Sequence, residues 1–434
     1  MISMLLPFGH SGLYASDVDR EDRPEIAKLI QAFPTIEDDY HVVKLIGAGS
    51  FSSVFKAVDK RRDSYDNSYW DFVENDDANA SALSSSSSNK KQRFVAIKRV
   101  YATVLPNRIQ TELEVLHELR GSKCVLNIIT AMRHQDQVLI VLPFIQHAEF
   151  RDFYMNYSLV DIAYYMRDLL DGLSHIAAKG IIHRDIKPGN FAWNPYTRRG
   201  VILDFGLAQW QEAEMPGLNC CIDRVRKLKQ EKRYYDVFPL EQTIPDPSHG
   251  YLLHDPRPSK KADRAGTRGF RAPEVLFRCQ NQTSLIDTWS AGVVLLCFLT
   301  RRYPFFRCED DVDAIVELAH IFGRNDMSNC ALLHGQIWSD NIPTILNHKH
   351  DWLDLVNSLT KNDTHPLLET SSSWLMALAI DLLDQLLELN PAKRLTAEAA
   401  LRHQFFSACA VTEMPVTDVK ATADSTTQIK VPAA

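Results

Sequence analysis

Two short apolar runs, each delivering a carboxylate into a loop, constrain this chain more than any other feature. The first leads through Ile181-Ile182-His183-Arg184-Asp185-Ile186-Lys187-Pro188-Gly189-Asn190, the second through Val201-Ile202-Leu203-Asp204-Phe205-Gly206. Asp185 suits a base that orients and deprotonates a hydroxyl, while Asn190 and Asp204 supply the oxygen ligands that Mg²⁺ prefers. A buried salt-bridge network could use the same residue types. Against that stands the joint order of His-Arg-Asp, an asparagine five positions after the aspartate, and Asp-Phe-Gly, which chance would rarely produce.

The chain upstream reads as strands. Period-two patterns cover Tyr40–Gly47, Val54–Asp59, Phe94–Tyr101, Val125–Met132 and Val138–Leu142, a small antiparallel sheet. A short helix precedes it, with Pro24 at a first helical position and Ile26, Leu29, Ile30 and Phe33 on one face. The first strand ends in the glycine-rich turn Gly47-Ala48-Gly49-Ser50-Phe51-Ser52-Ser53-Val54. Glycine lets backbone N–H groups approach phosphate oxygens without a Cβ in the way. A glycine pair between strands is more often a plain hairpin, and a dinucleotide fold would need a helix here, where a second strand follows. Val95-Ala96-Ile97-Lys98 places one lysine among apolar neighbours. Such a lysine commonly snorkels to the surface, but the next helix, opening near Pro106 with Ile109, Leu113 and Leu116 on one face, turns Glu112 towards it. Paired with Glu112, the ammonium would point at a nucleotide's phosphates.

After Leu142 the pattern is mostly helical, with apolar-periodic segments at 159–178, 286–299, 311–322 and 374–389. The division expected is residues 1–36 as a tail with one short helix, 37–144 as a small lobe, 145–408 as a large lobe, and 409–434 as a flexible end. Residues 61–93, with the serine run Ser84 to Ser88, lack the apolar content to bury a core. Irregular inserts are expected at 210–262 and 335–372. The first carries a basic cluster, Arg224 to Arg233, and Cys220, Cys221, His249 and His254, which fit free thiols better than zinc knuckle spacing. The 434 residues carry 48 Lys+Arg against 55 Asp+Glu. That balance speaks against a surface built for nucleic acid, and sequence-specific nucleic-acid binding is not expected. The longest apolar stretches fall far short of a membrane span, the first residues lack the basic start of a secretory signal, and eight cysteines without recurring spacing suit a reducing compartment.

Over residues about 40 to 408 these motifs resemble a eukaryotic protein kinase. Gly266-Thr267-Arg268-Gly269-Phe270-Arg271-Ala272-Pro273-Glu274 resembles the end of an activation segment, Asp287-Thr288-Trp289-Ser290-Ala291-Gly292 the helix that anchors the catalytic loop, and Arg394 the partner of Glu274. Lys187, two residues after Asp185, together with Thr267 resembles the serine/threonine branch. Three departures stand out: Ser52 replaces the third glycine, Phe270 stands where tyrosine is common, and Pro143 at the hinge has no N–H to donate.

The resemblance implies an α+β, bilobal kinase fold, with a small antiparallel β N-lobe bearing one main helix and a larger, mainly helical C-lobe. It implies ATP and Mg²⁺ as cofactors. Ile46, Gly47, Gly49, Ser50, Val54, Ala96, Lys98, Leu142, Pro143 and Ile145 would hold ATP, Asp185, Lys187, Lys98 and Glu112 would be catalytic, and Asn190 and Asp204 would hold the metal. The phrase Arg264-Ala265-Gly266-Thr267-Arg268-Gly269-Phe270-Arg271, the stretch Gly47 to Lys56, the segment Asp310 to Phe322 and the placement of the inserts are similar to the cell division cycle seven kinases. That likeness implies a nuclear serine/threonine kinase, activated by a Dbf-type regulatory subunit that orders the helix of Glu112. It also implies the mini-chromosome maintenance helicase as substrate, and substrate recognition by Arg264, Thr267, Arg268 and Arg271, with Arg264 and Arg271 reading an acidic side chain just after the target. A meiosis-specialised relative or a pseudokinase scaffold are the competing readings.

Overall fold

Alternating apolar residues from Tyr40 onward build a five-stranded antiparallel sheet in the order β1-β2-β3-β5-β4, formed by β1 (Tyr40–Ala48), β2 (Ser52–Asp59), β3 (Phe94–Val100), β4 (Thr130–His134) and β5 (Gln137–Pro143). The computed structural model describes residues 22–49, 51–65, 94–211, 265–361 and 373–409. Successive side chains of a strand point to opposite faces, and both faces of this sheet are covered. Tyr40, Val42, Phe55, Ala57, Val95, Ile97, Leu139 and Val141 share the outer face with Ile26, Leu29 and Phe33 from α1 (Arg23–Ala32) and its exit, and with Ile36 of the single-turn α2 (Ile36–Asp39). Ala96, Ile140 and Leu142 belong instead to the large core below the sheet, with Val54 packed against it. Lys98 shares that inner face, opposite Val54 on one side and Ile140 on the other.

The main helix of this lobe, α3 (Pro106–Glu118), opens on proline and turns Glu112, Val115 and Leu116 inward. The strand expected over Val125–Met132 begins only at Thr130. Val125 bridges Ile202 in parallel, and Leu126 N–H donates to Ile202 O at 3.0 Å. These apolar residues are buried by the lower lobe, which is why their run resembles a strand without joining the sheet.

Below the sheet lie the single-turn α4 (Phe150–Phe153) and then α5 (Leu159–Ala178), which starts on a capping box. Asp161 N–H donates to Ser158 Oγ, and Ser158 N–H donates to Asp161 Oδ2, both at 3.2 Å. Two-residue strands β6 (Ile181–Ile182) and β9 (Gln209–Trp210) pair around a hairpin of β7 (Phe191–Asn194) and β8 (Arg199–Ile202). After the one-turn α6 (Pro273–Leu276), α7 (Leu285–Thr300) is buried on every side, as its nearly unbroken apolar sequence requires.

Two expectations change here. The helix anticipated at 311–322 continues as α8 (Asp311–Leu333) through a bend at Gly323, whose φ of 77° and whose missing Cβ, which would lie 2.4 Å from His348 backbone atoms, both demand glycine. The stretch 335–372, expected to be an irregular insert, contains α9 (Trp352–Thr360). Asp351 caps that helix by accepting Asp354 N–H at 3.0 Å, and Trp352 and Val356 are buried. Then follow α10 (Ser373–Leu386), α11 (Ala397–Leu401) and α12 (Gln404–Ala408). The serine run, the basic cluster, Cys220, Cys221, His249, His254 and the terminal tails lie outside the described residues. Among the described residues no helix is long and apolar enough to cross a membrane.

Candidate active site

The cleft between sheet and helices gathers the charged residues from distant parts of the chain. Lys98 Nζ lies 2.6 Å from Glu112 Oε1 and 2.7 Å from Asp204 Oδ1. The Lys98 and Glu112 side chains are 10% and 7% exposed, so Lys98 is no snorkelling surface residue. Burial alone would lower its pKa, but the two carboxylates more than reverse this and hold the ammonium charged, well above the ordinary lysine value. Burial would likewise raise the Asp204 pKa, and Lys98 outweighs it, so the carboxyl stays ionised. Asp204 has a left-handed backbone, φ 55°, and accepts Gly206 N–H on Oδ1 at 3.3 Å.

The roof and walls of the cleft come from the expected residues. Gly47 closes β1, and Gly49 N–H donates to Ser52 O at 2.8 Å to shape the turn. A Cβ at Gly47 would meet nothing within 4 Å, so the approach to this backbone is open. Ile46 is exposed above it, Val54, Ala96 and Leu142 line the inner face, Pro143 ends β5, and Ile145 packs against the core. Ser50 lies outside the described residues.

The catalytic loop hangs from α7. Asp287 accepts the N–H groups of His183 (2.7 Å) and Arg184 (2.8 Å), one on each oxygen, and its burial pushes its pKa up despite them. His183 Nδ1 accepts Asp185 N–H at 3.2 Å, so Nε2 carries the ring proton and donates it to Leu203 O at 2.8 Å. One buried imidazole thus ties the loop of Asp185 to the loop of Asp204. Asp185 receives four donors. Thr267 N–H (2.8 Å) and Oγ1 (2.6 Å) meet Oδ1, and Lys187 Nζ and Asn190 Nδ2 meet Oδ2, each at 2.9 Å. Burial would raise its pKa, but the bonds from Thr267 and Lys187 prevail and hold it below the usual carboxylate value.

Asn190 Nδ2 also donates to Asp185 O at 2.8 Å, which ties its nitrogen to the loop and leaves Oδ1 as its ligand atom. The Asp204 side chain is 53% exposed, and Oδ2 is its oxygen away from Lys98. One carboxylate and one amide fit a hard divalent cation that takes its other ligands from phosphates and water. No cluster of three acidic, histidine or cysteine ligands occurs among the described residues.

Beside Asp185, the end of the activation segment is held by its own charges. Arg271 donates from Nε (3.0 Å) and Nη2 (2.7 Å) to Gly266 O, and its Nη1 lies 2.5 Å from Asp311 Oδ1 at the start of α8. Exposed Arg268 donates to Glu309 O. Arg271, expected to read an acidic side chain, thus has an internal carboxylate partner in Asp311. Arg264 lies outside the described residues. Further along, Glu274 and Arg394 pair through two bonds of 2.7 and 3.0 Å, fully buried.

The protein kinase domain family matches residues 79–224 and 252–406, well over half of the chain. The match omits β1 and β2, whose glycine turn the structure supplies. The chain is 76% identical over 412 residues to the cell cycle protein kinase spo4 of Schizosaccharomyces pombe, covering 95% of each. It is 40% identical over 396 residues to the cell cycle serine/threonine-protein kinase hsk1 of the same organism, 90% of this chain and 76% of that one. With a probable cell division control protein 7 homolog of Encephalitozoon cuniculi it shares 38% over 367 residues, 85% and 92% of the two chains. The chain belongs to the cell division cycle 7 family of protein kinases. Like its relatives, this kinase is a serine/threonine enzyme that uses ATP and a divalent metal.

The motif residues of this kinase meet where its sequence motifs imply, but three contributors were missed. Leu203 supplies only a carbonyl and has no side-chain signature. Arg184 acts through a left-handed backbone, φ 72°, and an amide held by Asp287. Asp311 had a legible signal, an acidic run Glu309 to Asp313 facing a basic segment, although nothing local says that the two would touch.

Proposed function

We propose that this kinase transfers the γ-phosphate of Mg²⁺-bound ATP to serine or threonine followed by an acidic or phosphorylated residue. In the nucleus, together with a Dbf-type regulatory subunit, it would act on the mini-chromosome maintenance helicase at the start of DNA replication. The observation that carries the chemistry is the convergence of Lys98, Glu112, Asp185, Asn190 and Asp204 in one cleft, joined by ion pairs and hydrogen bonds of 2.6–2.9 Å. A scaffold has no need of all five. The biological assignment rests on kinship with hsk1 and the division-control homologues.

In this reading Lys98, oriented by Glu112, would align the α- and β-phosphates, and Asn190 and Asp204 would hold a divalent metal, which when bound would supply positive charge beside them. The incoming hydroxyl displaces one of the four donors on Asp185 and gives up its proton there, while Lys187 balances charge on the transferred group. Asp185→Asn should lower turnover by roughly 10²–10⁴-fold and leave nucleotide affinity nearly intact, as read by single-turnover phosphorylation beside fluorescent-nucleotide titration. Lys98→Ala should weaken both. Wild-type turnover in Asp185→Asn would overturn the assignment.

A second reading of the biology is a meiosis-specialised relative of the same kinase; the chain is 76% identical to spo4 against 40% to hsk1, so it stands apart from hsk1 within the family. Deleting the gene and recording whether cells stop at replication or only later in a meiotic programme separates the two.

A further inference from the structure

Two lysines stand opposite each other on the sheet, where neither gains from the other. Lys44 of β1 pairs with Lys56 of β2 in the ladder, and like charges directly opposite one another destabilise a sheet. Both belong to the inner face, since Lys56 lies two residues beyond Val54 and opposite Ala96. Lys56 is half-buried, and burial, followed by the charge of Lys44, pushes its pKa below the ordinary lysine value. Among the described residues no carboxylate forms an ion pair with it. What the ammonium has instead is two rings. Its Nζ lies 3.8 Å from the centroid of Phe94 and 4.4 Å from that of Phe144, and the rings meet edge-on, 6.2 Å apart at 66°. A π face attracts a cation more strongly where water is partly excluded, which accounts for a charge kept in a place that otherwise disfavours it.

Phe94 opens β3, and Phe144 follows Pro143, the last residue of β5. β2 and β5 are not neighbours, because β3 runs between them, so no ladder of backbone bonds joins the two. Lys56 reaches over Phe94 and joins them through side chains. One end of this bridge is two residues from Val54, and the other is the residue before Ile145.

We propose that Lys56 is a positioning residue for ATP: a cation latch, closed on Phe94 and Phe144, that holds the roof strand β2 at a fixed spacing from the hinge. This adds to the residues assigned to the cleft above, since Lys56 acts through Val54 and Phe144. An apolar wall loses dispersion contact steeply when it shifts by less than an ångström, so the spacing of Val54 from the hinge sets how well the cleft grips a nucleotide. The groups around Asp185 belong to the other lobe and are untouched by the latch.

The test uses the full-length kinase. Lys56→Met keeps the apolar stem and loses the charge, Lys56→Arg keeps a cation that also favours π faces, and Phe144→Leu cuts the hinge end. In nucleotide-free protein, amide exchange over residues 52–58 should be roughly fivefold faster in Lys56→Met, the factor that corresponds to one half-exposed cation–π contact, and unchanged in α5. Titration with a fluorescent nucleotide should show a similar loss of affinity, and steady-state kinetics a matching rise in KM for ATP with kcat held. Lys56→Arg should restore all of these values. Phe144→Leu should lose nearly as much, and the double variant no more than Lys56→Met. Wild-type exchange and affinity in Lys56→Met, a failure of arginine to restore them, or losses that add in the double variant would each overturn the latch. Should Lys56→Met fold poorly, Phe144→Leu compared with Phe144→Tyr, which retains a π face, decides in its place: weaker nucleotide binding in the leucine variant supports the latch, and equal affinities reject it.

Discussion

Gly266 has no side chain because the space for one is taken. Its φ is 104°, and a Cβ would sit 2.4 Å from Arg184 O. The residue next to it bonds the base twice, and its own carbonyl orients Arg271. Gly266→Ala should therefore cost about 1–3 kcal/mol of backbone strain and shift Thr267 away from Asp185. The check is a lower unfolding temperature together with at least tenfold slower turnover, about 1.4 kcal/mol in the barrier; unchanged values for both would contradict the assignment. Arg184 and Asp204 hold left-handed backbones without being glycine, and each is restrained by a buried partner, Asp287 for one and Lys98 for the other. The residue types of the site are legible along the sequence, whereas these backbone conformations are not, because side-chain identity hardly restricts φ once a tertiary partner imposes it.

At the scale of elements, α1 explains how so small a sheet is stable. β1 is an edge strand, and edge strands leave amides without a strand partner. Asp22, just before α1, accepts one of them, Leu45 N–H at 3.2 Å, two residues before Gly47. Asp22→Ala should then loosen the foot of the glycine turn. Losing one such bond, about 1 kcal/mol, raises KM for ATP roughly fivefold with kcat held, as steady-state kinetics at varied ATP will show; equal KM values would reject the link. Leu29 is completely buried between helix and sheet, and Leu29→Ala should cost about 2–5 kcal/mol, measured by denaturant unfolding of the full chain. The apolar period of α1 was readable in advance. Its seat on the sheet was not, since a 10-residue amphipathic helix shows which face it buries and never against what.

Across the whole molecule, the Glu274–Arg394 pair joins the activation segment to a loop 120 residues later. Both side chains are essentially inaccessible, 2% and 0% exposed, so Glu274→Gln, which leaves a buried guanidinium without its counter-charge, should cost about 3–5 kcal/mol. The pair also sets a pH dependence. Burial would raise the Glu274 pKa, but Arg394 prevails and holds it below the ordinary glutamate value. With the folded pKa depressed, the ionised pair contributes its full stability above the unfolded pKa of about 4.3, and that contribution is lost as pH falls through the folded value. Unfolding temperature against pH should therefore slope more gently on the acid side in Glu274→Gln than in wild type; parallel curves would argue that the pair is not the titrating element. The order His-Arg-Asp, Asn, Asp-Phe-Gly, the change from strand to helix periodicity and the lysine on an apolar strand were determined by the sequence alone, because each depends on spacing within one or two elements. The bond of Lys98 to Asp204 across 106 positions, the capture of Arg271 by Asp311 and the continuation of α8 beyond Gly323 were decided only by the tertiary structure. Electrostatic pairing and backbone strain depend on which groups desolvate one another after the chain has closed, and separation along the chain carries almost no information about that.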